Sequence, residues 1–375
     1  MVDSYDVAVV GGGPAGGSAA AAAARAGASV VLLERAGLPR YKTCGGGLIG
    51  PTLGALPGAP PVRATVTRAS FTLRGGRAVE RSEPEPLLFT AARTELDHWL
   101  AREAVAAGAE LRTGCQVTGV DDGPEHAVVT TDDGVLHART VVAADGTSSR
   151  LARAVGVRLS RVDLGLELEL DAGPLTEAWA DRIHLDWGPL PGSYGWVFPK
   201  GDSLTVGVIT AKGRPAETRR YLADLVDQQG LDGLRVLHDS GHLTRCRAPG
   251  SPLGRGRVVL AGDAAGLLEP WTREGISFAV RSGIAAGTAA AAGATGLQQR
   301  YAAGVADLVE EMAAGETCLR AFERRPAAFH ALIGRTPVGW RQFVRLTRGD
   351  TTLARALTHR SVRLGLGVLG AGFAG

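Results

Sequence analysis

The first apolar positions of the chain predict a strand, a glycine-rich loop, a helix and a second strand. A mostly apolar run at 5–10 is followed by GGGPAG at 11–16, and an Ala-rich helical stretch then continues to Ala26. A second apolar run at 29–33 ends at Glu34. Short apolar runs bounded by turn residues are typical of buried strands.

Two later stretches alternate apolar and polar residues with a period of two. Residues 164–170 read LGLELEL, and residues 203–209 read SLTVGVI. This alternation indicates strands with one buried face. We therefore predict an antiparallel sheet that covers a ligand site at the interface between two domains.

Toward the C-terminus the pattern becomes helical, with apolar residues at helix spacing in 301–322 and 339–346. The fold class that we predict is α/β, with a discontinuous Rossmann-like nucleotide-binding domain, an antiparallel-sheet substrate domain and a C-terminal helical region. The ranges are 1–60, 86–155 and 254–292 for the first, 61–85 and 156–253 for the second, and 293–375 for the third.

Composition narrows the class of protein. Of the 375 residues, 45% are hydrophobic and 21% are charged, which are globular values. A net charge of +3 falls short of the clustered basicity of a nucleic-acid binder. The four scattered cysteines predict neither a disulfide framework nor a metal site, and the N-terminus lacks a signal-peptide pattern, so we expect a cytoplasmic protein.

The glycine-rich loop predicts a dinucleotide site. Gly11 permits the tight turn, Gly13 lets a pyrophosphate approach the backbone, and Gly16 lets the helix pack closely on the strand. The diphosphate would lie at the positive helix N-terminus, beside Pro14 and Ala15. Glu34 follows by roughly the 20 residues at which an acid reaches a ribose hydroxyl.

Two further strand-to-turn motifs identify the dinucleotide. They are VVAADG at 141–146 and VVLAGDAAG at 258–266, the second followed by a helix from Gly275. With GGGPAG, in this order, they resemble the para-hydroxybenzoate hydroxylase-like flavoprotein superfamily. The resemblance implies FAD, with Asp263 bonded to the ribityl chain and the helix N-terminus at Gly275 directed at the flavin ring, where the reduced flavin gains negative charge.

Two local motifs indicate a reductase. The segment RYKTCGGG at 40–47 and the segment YGWVFPK at 194–200 resemble motifs of the geranylgeranyl reductase family. On a strand, residues two apart share a face, so Tyr194, Trp196 and Phe198 would form an aromatic wall for a long apolar chain. Lys200 would be an exposed strand end, or would pair with a substrate head group or a flavin phosphate.

The resemblance also implies site residues. Cys44 is the catalytic candidate, near the proton donor or controlling access to the flavin, and the glycines after it would let the backbone pass close to the flavin face. The substrate-binding candidates are Tyr194, Trp196, Phe198, Gly45, Gly46 and Trp271. The cofactor-binding candidates are Gly11, Gly13, Pro14, Ala15, Gly16, Glu34, Arg35, Arg40, Cys44, Gly45, Arg93, Asp145, Gly146, Gly262, Asp263, Gly275 and Ile276.

The expected function is an FAD-dependent reductase of isoprenoid lipid biosynthesis that saturates carbon–carbon double bonds of a polyprenyl chain. The alternatives are a monooxygenase acting on an aromatic or polyketide substrate and a flavin-binding protein without turnover. Arg273 keeps them open, because relatives carry glycine there and a cation beside the flavin could raise its potential or narrow the pocket. The reductant would be NADPH or a reduced ferredoxin.

The C-terminal region leaves a membrane role open. It contains many arginines, together with Trp340, Phe343 and the apolar stretch 364–374, which is too short to span a bilayer. This mixture could lie on an anionic membrane surface as a peripheral contact, where a lipid substrate would be found, or it could form the solvated faces of packing helices.

Overall fold

The computed structural model describes residues 2–359 and Val362. In chain order the strands are β1 (Asp3–Val10), β2 (Val30–Glu34), β3 (Gly47–Leu48), β4 (Ala64–Val66), β5 (Arg68–Leu73), β6 (Val79–Ser82), β7 (Leu88–Thr90), β8 (Glu110–Thr113), β9 (Val117–Asp122), β10 (Ala127–Thr131), β11 (Gly134–Ala143), β12 (Leu159–Asp171), β13 (Arg182–Trp187), β14 (Tyr194–Lys200), β15 (Ser203–Ala211), β16 (Val236–Arg247), β17 (Gly254–Arg255) and β18 (Val258–Leu260).

The helices alternate with these strands and then follow them without interruption. They are α1 (Pro14–Arg25), α2 (Gly50–Leu53), α3 (Arg93–Ala106), α4 (Arg150–Val155), α5 (Thr176–Trp179), α6 (Pro215–Gln228), α7 (Ile276–Ala291), α8 (Leu297–Gly304), α9 (Ala306–Arg324), α10 (Pro326–Arg335), α11 (Pro337–Arg348) and α12 (Leu353–Thr358).

The first sheet runs in the order β17-β18-β11-β1-β2-β8, with β10 and β9 attached to β11. Strand β1 pairs in parallel with β11 and β2. The outer pairs β11–β18 and β2–β8 are also parallel. The second half of β1, Val7–Val10, is buried, as is typical of a parallel strand with both faces covered. The carboxyl ends of β1, β11 and β18 meet at one edge of this sheet and lead into the three predicted motifs.

The second sheet runs in the order β16-β12-β15-β14-β13-β5-β6. It is antiparallel except at β5–β13, which pair in parallel, so the expectation of a purely antiparallel sheet was wrong at this pair. The chain leaves β5 and returns at β13 only after passing through the first sheet, and such a long crossover permits parallel pairing. A small third sheet, β3-β7-β4, joins residues from both predicted domains.

One face of the second sheet packs on α6. Leu166 and Leu170 of β12 contact the apolar side of this helix, which includes Tyr221 and Leu225. The acidic positions of the same strand lie on the opposite face. Strand β12 therefore alternates as predicted, but its polar face is turned toward a cavity and not toward solvent.

The C-terminal helices close the other end of that cavity. Thr336 caps α11 by accepting a hydrogen bond from the Gly339 backbone N–H at 3.0 Å, and Pro337 occupies the first helical position. Trp340 and Phe343 of this helix pack against Phe71 of β5, so they belong to the core and not to a membrane-facing surface. Within residues 2–359, no helix has the length and apolar character needed to cross a bilayer.

Candidate flavin and substrate site

A cavity of about 1680 Å³ runs from the glycine loop of β1 to the C-terminal helices. Its volume exceeds the roughly 300–1000 Å³ of usual ligand pockets, which leaves room for a cofactor and a second ligand. We call its two ends the nucleotide end and the pouch. The nucleotide end is lined by Gly11, Gly13, Pro14, Ala15, Glu34, Arg35, Arg40, Arg93, Asp145, Gly146, Asp263, Gly275 and Ile276. The pouch is lined by Ile183, Leu185, Trp187, Trp271, Ala328, Phe329, Ile333, Phe343, Leu346 and Leu357.

Two arginines flank the glycine that caps α1. A Cβ atom placed on Gly13 would stand 3.7 Å from the Arg40 Nη2 atom and 3.9 Å from the Arg93 Nη2 atom, so the position is open but bordered by positive charge. Together with the unpaired N–H groups at the start of α1, this arrangement fits an anionic diphosphate. The two arginines come from different parts of the chain, the loop after β2 and the start of α3.

Asp97 holds both guanidinium groups, and sequence reasoning missed it as a site residue. Its fully buried carboxylate accepts hydrogen bonds from Arg93 at 2.6 and 2.8 Å and lies 3.1 Å from the Arg40 Nη1 atom. Burial lowers the pKa of Arg93, but the Asp97 carboxylate and the neighbouring Cys44 thiol outweigh it, so the pKa is raised. The spacing of four residues between Arg93 and Asp97 was the available signal.

The acid at the end of β2 faces the glycine loop. The Glu34 carboxylate accepts hydrogen bonds from the backbone N–H groups of Gly12 at 2.7 Å and Ala36 at 3.0 Å. It lines the nucleotide end beside Arg35, so it lies where a ribose could be bound. Its bond to a ribose hydroxyl stays a prediction.

The other two motifs supply acids to the same end of the cavity. The buried Oδ1 atom of Asp145 has no hydrogen-bond partner among the described residues, and burial raises the pKa of this carboxyl. Asp263 follows Gly262, which has φ +56°, and its carboxylate lies 3.6 Å from the His242 Nε2 atom. Burial raises the pKa of Asp263, but His242, Lys42 and Arg93 together outweigh this and the pKa is lowered.

Helix α7 begins at this end, directly after Gly275. The first residues of the helix line the cavity, so its positive N-terminus faces the cavity. The Glu274 carboxylate caps the helix by accepting a hydrogen bond from the Ser277 N–H at 2.8 Å. An unpaired buried oxygen on Asp145, the Gly13 cradle and this helix end are together what an FAD requires, so the residues fit the cofactor.

Two backbone hydrogen bonds of Cys44 fix the loop after β2. The Cys44 N–H donates to the Glu167 Oε1 atom at 2.9 Å, and its carbonyl oxygen accepts from the Lys200 Nζ atom at 2.8 Å. Lys200 is therefore buried against the loop and is neither an exposed strand end nor part of the cavity lining. This outcome corrects the expectation of an exposed strand end, and pairing with a head group or a flavin phosphate stays a prediction.

A side chain in place of the glycines of this loop would crowd neighbouring protein atoms. A Cβ atom on Gly45 would stand 3.1 Å from the Trp196 Nε1 atom, and one on Gly46, which has φ +74°, would overlap the Ala91 carbonyl oxygen. Gly45, Gly46 and Gly47 also line the cavity, and the expectation that they leave room beside the flavin face stays a prediction. The loop packs directly on the aromatic strand β14 and closes one side of the cavity.

The aromatic residues of β14 share the face that borders the cavity. Tyr194, Trp196 and Phe198 all line it, and Trp271 borders the pouch against Phe329. The Trp196 ring covers its cross-strand partner Gly207, where any side chain would overlap the ring. Binding of substrate by these aromatics stays a prediction.

Known proteins of similar sequence show which family the chain belongs to. A family model described as an FAD binding domain matches residues 4–301. The sequence is 33% identical to digeranylgeranylglycerophospholipid reductase 1 of Methanopyrus kandleri in an alignment of 308 positions that covers 76% of this chain and 80% of that protein. It is 34% identical to geranylgeranyl diphosphate reductase of Rhodobacter capsulatus in an alignment of 306 positions that covers 77% of this chain and 75% of that one. The chain belongs to the geranylgeranyl reductase family of FAD-dependent oxidoreductases.

A solved structure agrees with the fold of this geranylgeranyl reductase family member. A geranylgeranyl bacteriochlorophyll reductase-like protein from Thermoplasma acidophilum superposes with a TM-score of 0.81, at 21% identity, covering 98% of this chain and all of that one. The predicted α/β fold class, the family and the assignment as an FAD-dependent oxidoreductase are confirmed.

Arg273 is where this family member departs from the glycine expected of relatives. The residue adopts φ +55°, a left-handed conformation that favours glycine. Its guanidinium, 2% exposed, donates to the Asp163 carboxylate, 1% exposed, at 3.1 Å and to the Gly192 carbonyl oxygen at 3.1 Å. The predicted cation therefore forms an ion pair with Asp163 of β12, which Arg161 also contacts at 2.9 Å, and Arg273 lines the cavity. Its effect on the flavin or on the width of the pocket stays a prediction.

Proposed function

We propose that this protein is an FAD-dependent reductase that saturates carbon–carbon double bonds of a polyprenyl chain. The observation that carries the proposal is the pouch, an apolar extension of the cavity beyond the nucleotide end. A long apolar ligand would bury its surface there against Ile183, Trp187 and Phe329, and burial contributes about 25 cal/mol for each Å² removed from water. The two relatives, both named as reductases of geranylgeranyl compounds, support the same substrate class.

The chain's own residues would position the alkene and exclude water. When bound, FAD in its reduced form supplies a hydride. An isolated alkene has no carbonyl group to accept charge, so the reaction depends on holding the chain in a fixed orientation in a dry cleft. Tyr194, Trp196 and Phe198 would hold the chain flat on one side, and the loop at Cys44 closes the cavity beside them.

Cys44 keeps its proposed place near the reacting atoms. Its sulfur lines the cavity and accepts a hydrogen bond from the Gly46 N–H at 3.4 Å. It lies between the Arg93 side of the nucleotide end and the aromatic wall. This position supports a role beside the proton donor or in controlling access to the flavin.

The mouth of the pouch supports a peripheral contact with a membrane surface. Leu332 and Val338 line the cavity and are 39% and 66% exposed. Arg335 and Arg341 are exposed on the same two helices, α10 and α11. A cytoplasmic protein resting on an anionic bilayer at this mouth would receive a lipid substrate directly from it. The stretch 364–374, considered above for this contact, lies outside the described residues, as do Arg360 and Arg363.

The test is anaerobic reduction of a defined lipid. The purified FAD-loaded protein, reduced with dithionite so that the choice between NADPH and reduced ferredoxin does not matter, is incubated with a geranylgeranyl lipid, and the product is analysed by mass spectrometry. We expect a mass gain of about 2 units per saturated bond, since two hydrogens add to each alkene. An unchanged lipid, or gain of an oxygen atom under air, would overturn the assignment and favour a monooxygenase.

A further inference from the structure

One acid borders the cavity without a role in the reaction described above. Glu167 lies near the middle of β12, is 2% exposed and lines the cavity together with Gly165 of the same strand. The alternation of β12 turns this face toward the loop at Cys44 and the aromatic strand. A buried carboxyl group at this place costs free energy unless it is paired or neutral, so its presence requires an explanation.

One carboxyl oxygen of Glu167 is occupied and the other is free. Oε1 accepts the Cys44 N–H at 2.9 Å, while no described residue donates a hydrogen bond to Oε2. The nearby Lys200 ammonium donates instead to the Cys44 carbonyl oxygen, and no ion pair forms between the two side chains within 4.0 Å. The Cys44 peptide thus fixes the carboxyl group and leaves one oxygen available to a ligand.

The surroundings of Glu167 favour a neutral carboxylic acid. Burial raises its pKa to about 7, and Glu169 on the same strand acts in the same direction. The charges of Lys200 and Lys42 and the hydrogen bond from the Cys44 N–H act against this but do not outweigh burial. The Lys42 Nζ atom is itself bonded to the His242 Nδ1 atom at 2.9 Å. The group can therefore carry a proton at neutral pH.

Two other proton carriers, both on β14, are already engaged. Tyr194 donates its hydroxyl hydrogen to the Thr272 carbonyl oxygen, and burial raises the pKa of this phenol, which makes it a weaker acid. Lys200 is committed to the Cys44 carbonyl.

We propose that the carboxylic acid of Glu167 donates the proton that completes saturation of the alkene. This inference rests on the proposed function. The hydride from reduced flavin forms a C–H bond at one alkene carbon, and the electron pair of the double bond takes the proton from the Glu167 O–H at the other carbon. The flavin is oxidised by two electrons, the alkene is reduced, and the carboxylate left on Glu167 recovers a proton from solvent before the next turnover.

The matched variants are Glu167→Gln and Glu169→Gln. Glutamine at 167 keeps an oxygen that can accept the Cys44 N–H but has no acidic proton, so the loop stays fixed while proton donation is lost. Glu169 lies two residues further along the same strand, where it accepts a hydrogen bond from Ser203 at 3.3 Å and does not line the cavity.

In the FAD-loaded protein, we expect Glu167→Gln to slow anaerobic reoxidation of the reduced flavin by a geranylgeranyl lipid roughly 100-fold or more. FAD content and thermal stability should remain at wild-type values. Glu169→Gln should react at the wild-type rate in acidic buffer, where Glu167 is protonated in both proteins, and its rate should fall at a lower pH than that of the wild type because the charge of Glu169 helps to raise the pKa of Glu167. An undiminished rate in Glu167→Gln, while the wild type turns over, would overturn the role of this acid alone, whereas a wild type that reduces no alkene would overturn the proposed function itself.

Two readouts separate proton donation from a merely structural role. The wild-type rate should fall as pH rises through about 7, because a raised pKa means that the donor is protonated below this pH and lost above it; Glu167→Gln should lack this fall. Infrared difference spectra between wild type and Glu167→Gln, taken without substrate, should contain a protonated carboxyl band that disappears over the same range. A carboxyl group ionised from pH 5 upward would overturn the proposal.

Discussion

At the scale of single residues, Asp97 organises the positive charge of the nucleotide end. It pairs with Arg93 and Arg40 at once, and Arg40 also lies 3.4 Å from the Glu34 carboxylate. A diphosphate bound there would add the negative charge that the pair lacks. Asp97 therefore positions the arginines before the cofactor arrives, and its pairing with them is a property of the folded chain alone.

Replacing Asp97 with asparagine should make folding more dependent on FAD. Without cofactor, the buried Arg93 guanidinium loses its carboxylate partner and Arg40 keeps only Glu34, at 3.4 Å. We expect this to lower the free energy of unfolding by about 3–5 kcal/mol. Bound FAD supplies a new anion, so the rise in melting temperature on adding FAD should be larger in Asp97→Asn than in the wild type.

The control for this variant is Glu103→Gln on the same helix. Glu103 pairs with Arg25 at 3.6 Å on the surface, and such a pair contributes about 1 kcal/mol or less. Thermal denaturation with and without FAD measures all three proteins. An equal FAD-dependent shift in Asp97→Asn and wild type would contradict the role given to Asp97.

Residue-level expectations succeeded where the signal was local. GGGPAG, VVAADG and VVLAGD each carry strand, turn and acid within a few positions, so the sequence alone placed Gly13, Asp145 and Asp263 in one site. The contact between Glu167 and Cys44 joins residues 123 positions apart, and no local pattern encodes it. The same holds for Arg273, whose partner Asp163 lies 110 residues away.

At the scale of elements, the C-terminal helices set the length of the pouch. Helix α10 presents Ala328 to the cavity and leaves its neighbour Ala327 exposed. Helical periodicity predicted a helical C-terminal region, but not that α10 and α11 pack on the second sheet, because an apolar stripe does not identify the surface that it packs on. Trp340 and Phe343 illustrate this: their partner Phe71 belongs to a strand more than 250 positions earlier.

Filling the pouch from α10 should shorten the chain that the enzyme accepts. Phenylalanine at 328 would occupy space that a long chain needs, at a cost of about 1–3 kcal/mol for the longer ligand. We expect Ala328→Phe to reduce turnover of a geranylgeranyl substrate more than that of a geranyl analogue, measured as the ratio of their kcat/KM values. Ala327→Phe is the control and should leave the ratio unchanged; an equal effect of both variants would contradict the position of the pouch.

At the scale of the whole molecule, the mouth of the pouch combines exposed apolar side chains with surrounding arginines. A lipid bilayer is the medium from which a polyprenyl lipid would come, and each arginine near an anionic surface contributes about 1 kcal/mol of attraction. The chain's net charge of +3 alone could not indicate this, because it says nothing of where the charges lie. The structure is needed to identify this face, because it places α10 and α11 at the cavity.

Vesicle binding should depend on this mouth. We expect the protein to sediment with phosphatidylglycerol-containing vesicles and less with pure phosphatidylcholine, with binding that weakens as salt screens the arginines. Val338→Asp should reduce binding. Val309→Asp introduces the same charge at another exposed valine, which is 42% exposed on α9 and lies away from the cavity. This control variant should bind vesicles as the wild type does. Equal sedimentation of both variants would contradict a membrane contact at this face.

The central claim is that one cavity brings an FAD and a polyprenyl alkene together for reduction. The most direct measurement is a single-turnover titration: protein with its flavin fully reduced and no excess reductant is mixed anaerobically with a geranylgeranyl lipid, and flavin absorbance and product mass are followed together. The account predicts one saturated bond for each flavin reoxidised. A flavin that stays reduced in the presence of the lipid, or that reoxidises without saturating it, would contradict the account.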